Sequence, residues 1–342
     1  RLCVRGFNQR PGLDYAETYA PTAKWVTLRI FLTITAVKKM VTRQLDVKTA
    51  FLYAPLDEEL YITLPDGIGD PRNPFRLSPE ALKRSRGKVL RLKKSLYGLK
   101  QAPRNWFQTL KEFLNMQGFT STLSESCLFV KYIDGNMLIL LVFVDDILIA
   151  AERDEDLYAV VDQFSRRFNI TDSGEVNVYL SINVTRHVED RWIDLDQTAY
   201  ILQMWRTFGF GESSGVHTPL QENWRICIEE ELASQSDDDR AFVANFPYRE
   251  LVGSLLFIMI CTRGDIAYAV HYLARFNSRP CKAACLAAKR VLVYLYNTRD
   301  RKLRLGGTSR PLLSLFCDTD FAGCLDTRKS MECFLLYFGL GC

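Results

Sequence analysis

Histidine is scarce in this chain: three among 342 residues, His187, His217 and His271. They complete neither an HExxH signature nor a zinc-knuckle pattern, which removes the familiar zinc-site classes. The ten cysteines include no C-x-x-C pair and read as reduced core residues of an intracellular protein. Uninterrupted apolar stretches are lacking as well. The longest runs are cut by charge, so neither a transmembrane helix nor a membrane partner is expected, and position 1 does not open a signal peptide. No internal repeat is visible. With 48% hydrophobic and 25% charged residues the composition is that of an ordinary globular protein, long enough for two or more subdomains.

Against that background residues 137–150, MLILLVFVDDILIA, stand out. Asp145 and Asp146 interrupt an apolar run long enough for two buried strands. Burying adjacent carboxylates is costly, because each loses hydration and each repels the other. A divalent cation is the usual compensator. The competing reading is a plain hairpin turn, although Asn-Gly or Asp-Gly suits such a turn better than Asp-Asp. Asp46, in QLDVKTAFL (residues 44–52), stands at the end of a short apolar strand. Alone it would be structural; brought up to the Asp-Asp pair it is a third carboxylate. Three carboxylates can hold two magnesium ions, with manganese as the alternative, one for a primer 3′-hydroxyl and one for a triphosphate.

The formal net charge of +4 hides an uneven distribution. Residues 83–111 hold ten Lys or Arg and no Asp or Glu, interleaved with Tyr97, Trp106 and Phe107. A solvated charged face would explain a basic run. Basic side chains beside aromatics also suit a nucleic-acid track. The acidic runs Glu229-Glu230-Glu231 and Asp237-Asp238-Asp239 lie in a polar stretch that reads as a linker or loop.

These features carry a family resemblance. FVDD (143–146) resembles the YxDD box of reverse transcriptases, and LDVKTAFLYAPLDEELYITLP (45–65) resembles the first palm motif of the copia-type LTR retrotransposons. RLCVRGFNQ (1–9) with DYAETYAPTAKWVTLR (14–29) is similar to that family's fingers, and KKSLYGLKQAPRNWF (93–107) to its most distinctive box. YRELVGSLLFIMICTRGDIAYAVHYLARF (248–276) and AAKRVLVYLYNTRDRKLRL (287–305) are similar to the segments after the palm. The chain departs from the pattern at Phe143 (usually Tyr), Thr49 (usually Asn), Gly264 (usually Pro) and Ala284-Cys285 (commonly His-Trp).

The resemblance implies an α+β, right-hand polymerase fold: fingers and palm over 1–195, an antiparallel sheet backed by helices, then a more helical thumb and connection over 196–305. It implies RNA- and DNA-templated DNA synthesis, with RNA template, DNA primer and deoxyribonucleoside triphosphates as partners. Asp46 and Asp145 would bridge both metals, and Asp146 would be a weaker or indirect ligand. Val47, Phe51, Tyr97, Gly98, Arg1 and Arg5 would meet the nucleotide. Phe51 would exclude a 2′-hydroxyl, unless it is an ordinary core residue. Phe143, Lys93, Lys94, Lys100, Pro103 and Arg104 would meet nucleic acid. LLSLFCDTDFAGCLDTRKS (312–330) resembles the opening of the copia-type ribonuclease H domain, with Asp318 as one carboxylate of an incomplete site and 306–342 as the truncated start. The whole then reads as a fragment of a polyprotein carrying integrase and ribonuclease H, resident in a cytoplasmic virus-like particle or the nucleus. The alternatives are a two-metal nuclease or integrase, and a catalytically inactive nucleic-acid-binding remnant of a decayed element.

Periodicity and turn residues predict helices over 24–37, 101–118, 154–168, 197–207, 248–276 and 282–297. They predict strands around Asp46, 127–133, 137–144 and 147–150, with a hairpin at Asp134-Gly135-Asn136 and two or three strands up to about residue 195.

Overall fold

The computed structural model describes residues 2–73, 76–85, 87–209, 215–222, 224, 228, 234–307, 313–323 and 328–338. Two compact units emerge: Arg1–Thr27 with Val41–Glu175, and Leu28–Met40 with Val176–Cys342. Both combine antiparallel sheet with helices. Among the described residues no single helix is long and apolar enough to cross a membrane.

The first unit is built on a six-stranded sheet. Its strands are β1 (Val41–Val47), β4 (Thr120–Ser121), β5 (Leu128–Ile133), β6 (Asn136–Phe143), β7 (Asp146–Ala151) and β8 (Ile170–Asp172), in the order β4-β5-β6-β7-β1-β8. Every neighbouring pair is antiparallel. A separate two-stranded ribbon pairs β2 (Tyr61–Ile62) with β3 (Leu90–Arg91). Strands β6 and β7 are buried on both faces, which is why they read as apolar runs rather than alternating ones. The β5–β6 hairpin closes through Asp134 and Gly135, both at positive φ, the residues that a two-residue type I′ turn asks for.

Two helices complete this core: α3 (Ala102–Met116) and α4 (Asp154–Arg167). Trp106, Leu110, Phe113 and Leu114 from one meet Leu157, Val160 and Phe164 from the other over Leu45, Val47, Leu138, Leu140 and Ile149. Phe113, Phe164 and Phe168 pack edge to face, with centroids 5.1 Å apart for Phe113–Phe164 and for Phe113–Phe168, the geometry aromatic quadrupoles favour. Pro103 sits at the start of α3, where a missing N–H costs nothing. Asp154, Glu155 and Asp156 open α4 and Arg166 and Arg167 close it, complementing its macrodipole. Between the sheet strands, α2 (Pro79–Arg84) is capped by the Ser78 side chain.

In the second unit β9 (Val178–Tyr179), β10 (Ile182–His187), β11 (Trp192–Asp196) and β12 (Leu303–Gly306) form a sheet in the order β12-β11-β10-β9. Helix α1 (Trp25–Val37) contributes most of its length to this unit. The main core joins α5 (Thr198–Phe208), α7 (Tyr248–Cys261), α8 (Ala267–Ala274) and α9 (Lys282–Asn297) through Ile201, Leu251, Leu255, Ile258, Val270, Leu273, Val291 and Leu292. A hairpin of β13 (Leu313–Thr319) and β14 (Glu332–Phe338) follows.

Two sequence expectations are corrected here. The helix expected over 248–276 is broken: α7 ends at Cys261, a 3-10 turn covers Gly264–Ile266, and α8 begins at Ala267. The break lets Arg263, only 3% exposed, turn its guanidinium inward. It grips Asp265 at 2.9 and 2.8 Å and also donates to the Thr298 carbonyl and hydroxyl. The acidic run at 237–239 is not a loop but the first turn of α6 (Asp237–Asn245). The Ser236 hydroxyl caps it by accepting from the Asp239 N–H, and three carboxylates there suit the positive end of the helix dipole. Glu229, Glu230 and Glu231 lie outside the described residues.

Candidate active site

The end of the six-stranded sheet where β1 and β6 finish and β7 begins gathers the acidic residues. Asp46 is the direct cross-strand partner of Asp146, and Asp146 is in turn the partner of Phe143. Residues opposite one another in an antiparallel sheet share a face, so Phe143, Asp146 and Asp46 form one row across three strands. All three are partly buried. Asp145 joins them from the turn, its carbonyl accepting from the Val47 N–H at 3.0 Å.

The turn itself differs from a simple Asp-Asp corner. Phe143 pairs with Asp146, so the two central residues are Val144 and Asp145. Val144 has φ +58°, while Asp145 is not among the positive-φ residues. A positive φ at the first central position alone is the signature of a type II′ turn, where glycine is preferred. A β-branched side chain in that conformation is strained. The strained peptide is held from outside: the Trp106 indole N–H donates to the Val144 carbonyl at 2.7 Å.

Electrostatics tie the acids together. The Asp146 carboxyl is pushed above the ordinary carboxylate value by burial first, then by the charges of Asp145 and Asp46, against a hydrogen bond from the Gln44 side chain that pulls it down. A carboxylate whose proton affinity is raised by two neighbouring carboxylates suits a divalent cation, whose charge would remove the repulsion. Among the described residues, however, no group of three or more His, Cys, Asp or Glu is already gathered to ligating distances. Unneutralised like charges have no reason to close up by themselves.

The nucleotide candidates fall around this end in the same unit. The Val47 side chain is buried, and its N–H serves the Asp145 carbonyl. Phe51 lies on the 3-10 turn Ala50–Tyr53 directly after β1. It is half-buried and meets the Tyr97 ring at a centroid distance of 4.8 Å. Two residues 46 positions apart in the sequence are thus brought together. Gly98 has φ +91°, and a Cβ there would overlap the Val4 carbonyl oxygen. The Val4 N–H donates to the Tyr97 carbonyl at 2.7 Å, so the N-terminal segment is laid directly on this turn. Arg5 is exposed and lines a cleft of about 640 Å³ with Asn8, Asp14, Leu60 and Asp66. Arg1 lies outside the described residues.

The basic candidates divide. Lys93 and Lys94 are exposed. Lys100 is drawn inward: its Nζ donates to the Gln9 carbonyl and the Tyr15 hydroxyl at 3.3 and 3.2 Å and lies over the Tyr15 ring. Arg104, one residue after Pro103 on α3, pairs with Glu17 at 2.8 Å. Asp318 is exposed on β13, opposite Cys333, and accepts from the Thr319 N–H.

Sequence reasoning missed Gln44, Gln9, Gln101 and the role of Trp106. Gln101 is 1% exposed and joins Gln9, the Asp14 carbonyl and Glu58. Gln44 alone had a local signal, since it sits two residues before Asp46 and therefore on the same strand face.

Comparison with known proteins adds a family. The model for reverse transcriptase (RNA-dependent DNA polymerase) matches residues 1–222. The retrovirus-related Pol polyprotein from transposon TNT 1-94 of Nicotiana tabacum is 35% identical over 343 residues, covering 100% of this chain and 25% of its own length. The one from transposon RE1 of Arabidopsis thaliana is 33% identical over 339 residues, covering 99% of this chain and 22% of its own. The putative transposon Ty5-1 protein of Saccharomyces cerevisiae is 29% identical over 286 residues, covering 84% of this chain and 86% of its own. The chain thus spans about a quarter of the length of the two plant polyproteins. A match over residues 1–222, a span that includes Asp46, Asp145 and Asp146, makes the chain a member of the reverse transcriptase family.

Proposed function

We propose that this chain is the polymerase segment of a copia-type Pol polyprotein and that it extends a DNA primer on RNA and DNA templates. The observation that carries the reading is the Asp46–Asp146 cross-strand pair with Asp145 in the adjoining turn. Asp46 and Asp145 would hold two magnesium ions, or manganese, with Asp146 as an indirect ligand. Such ions, when bound, favour the ionised primer 3′-hydroxyl and neutralise the triphosphate. The protein's own share is positioning: the end of the sheet fixes the carboxylates, and the Phe51–Tyr97 ring pair, tilted 50° to one another, stands at the turn that follows β1. In this reading 1–195 are fingers and palm, 196–305 thumb and connection, and 306–342 the opening of a ribonuclease H domain. Integrase and the rest of that domain would belong to the longer polyprotein.

Primer extension on homopolymer RNA and DNA templates with magnesium tests the proposal. Template-dependent incorporation is expected. Binding of primer–template without any extension would return the remnant reading, and cleavage in place of synthesis the nuclease one.

Phe51 gives a sharper test. A ring under the sugar rejects a 2′-hydroxyl by shape, and apolar pockets reject an added hydroxyl by about a hundred-fold at most. Phe51→Val should therefore raise ribonucleotide use relative to deoxyribonucleotide by roughly ten- to a hundred-fold. Retained synthesis with unchanged discrimination would leave Phe51 as a core residue.

The basic track predicts a salt response. Phosphate contacts release counterions, so log affinity falls linearly with log salt, by roughly 0.7–0.9 per contact. Lys93→Gln with Lys94→Gln should flatten that slope by between one and two on unrelated template sequences, because backbone contacts carry no base information. Lys100 and Arg104, already engaged with Tyr15 and Glu17, should contribute less. An unchanged slope in the double variant would place the nucleic acid elsewhere.

A further inference from the structure

The fold builds a strained peptide next to the proposed catalytic acids and then fastens it. Val144 occupies the glycine position of the β6–β7 turn at φ +58°. No property of valine favours that conformation, and such strain persists only where the surroundings over-determine it. One fastening is the Val47 N–H to the Asp145 carbonyl at 3.0 Å. The other comes from a distant element. Trp106 is 1% exposed and wedged against Phe168, at a centroid distance of 5.4 Å. Its ring cannot swing away without opening the core around Leu45, Phe113 and Val142. Its one polar atom is aimed at the Val144 carbonyl at 2.7 Å.

We infer that Trp106 is a positioning residue for synthesis: through its indole N–H it holds the Val144 peptide in the strained orientation that presents Asp145 beside Asp46 and Asp146. The inference rests on the polymerase reading above. It assigns Trp106 no contact with substrate. If the hydrogen bond is lost, the carbonyl is left without its partner and valine's preference for negative φ is unopposed. The turn then relaxes and the acids lose their common site. Metal affinity and the rate of the chemical step fall together, while nucleotide and template binding, which use other residues, do not.

The test is primer extension with a magnesium titration, run on the unaltered chain and on variants. In Trp106→Phe, kcat should fall roughly ten-fold, the upper end for one partly buried hydrogen bond. The magnesium concentration for half-maximal rate should rise by a similar factor, with KM for nucleotide unchanged. Adding Val144→Gly should recover much of the loss, since glycine takes positive φ without strain and needs no clamp. Site-specific replacement of Trp106 by its benzothienyl analogue keeps the bicyclic shape and removes only the N–H. It should reproduce the Trp106→Phe effect with the thermal midpoint retained, and it decides the matter if Trp106→Phe does not fold. An analogue-bearing chain with unchanged kcat and magnesium dependence would overturn the inference. So would a loss that Val144→Gly leaves untouched. Failure of the polymerase reading looks different, because the unaltered chain itself would then not extend primers.

Discussion

On the polymerase reading, Asp145→Asn should abolish magnesium-dependent primer extension while leaving the chain folded. The expected loss is about a thousand-fold or more, several kcal/mol of transition-state charge stabilisation at roughly 1.4 kcal/mol per ten-fold. Stability should not fall with activity. Asp146 binds its proton more tightly than an ordinary carboxyl partly because Asp145 is charged beside it, and the asparagine removes that repulsion. A thermal midpoint equal to or above that of the unaltered chain, with extension absent, is the combined result to look for. Substantial extension by the variant would take Asp145 out of the chemistry.

The second large effect is on stability. Arg263→Ala leaves Asp265 without its bidentate partner and Thr298 without two donors. Arg263 is buried but Asp265 is exposed, so the cost falls below that of breaking a fully buried pair from one side. It lies nearer the roughly 1.5–3 kcal/mol of lost hydrogen bonds to a charged group, still a sizeable part of a domain's margin. The loss should be pH-dependent. Burial pushes the Asp265 carboxyl up, but hydrogen bonds from Arg263 and Tyr294 more than offset it and hold it below the ordinary value of 3.8. A depressed carboxylate contributes stability that is fully present above its unfolded value and lost as pH falls through its folded one. The unaltered chain should therefore lose its advantage over Arg263→Ala only below about pH 3.8, the ordinary carboxylate value. Thermal unfolding of both across acid and neutral buffers checks this. An equal midpoint at neutral pH would make the pair dispensable.

Local chemistry made some of this architecture legible. Asp134-Gly135 supplies the positive-φ residues of its turn, and the hairpin stands where the sequence places it. Gly118, at φ +83°, follows the end of α3 as a helix-stopping glycine should. The β6–β7 turn was only half legible. Its acids announced themselves, but valine at the glycine position obeys no local preference, because its partner Trp106 lies 38 residues earlier. The same distance problem hid the break after Cys261. An apolar helical pattern runs on through Arg263, and only Thr298, 35 residues away, explains why the chain turns there. Likewise a run of ten basic residues does not reveal that Arg104 answers to Glu17 and Lys100 to Tyr15. At 237–239 the charge count outweighed a cap signal, Ser236, that was there to be read.

Helix α1 has a consequence for how this protein comes into being. Residues Leu28–Met40 belong to the second unit although the first unit resumes at Val41. Arg29 donates to the carbonyls of Ile260 and Cys261, and Lys39 pairs with Glu189. On a ribosome adding roughly 5–20 residues per second, those partners emerge on the order of ten seconds or more after the helix itself. The strands flanking the acids can pair during that interval, while an apolar helix waits for its unit to be synthesised. Dissection meets the same constraint. No single scission separates the two units, and a fragment beginning at Val176 would have to be supplied with Leu28–Met40 as a separate peptide before its sheet and helices could close.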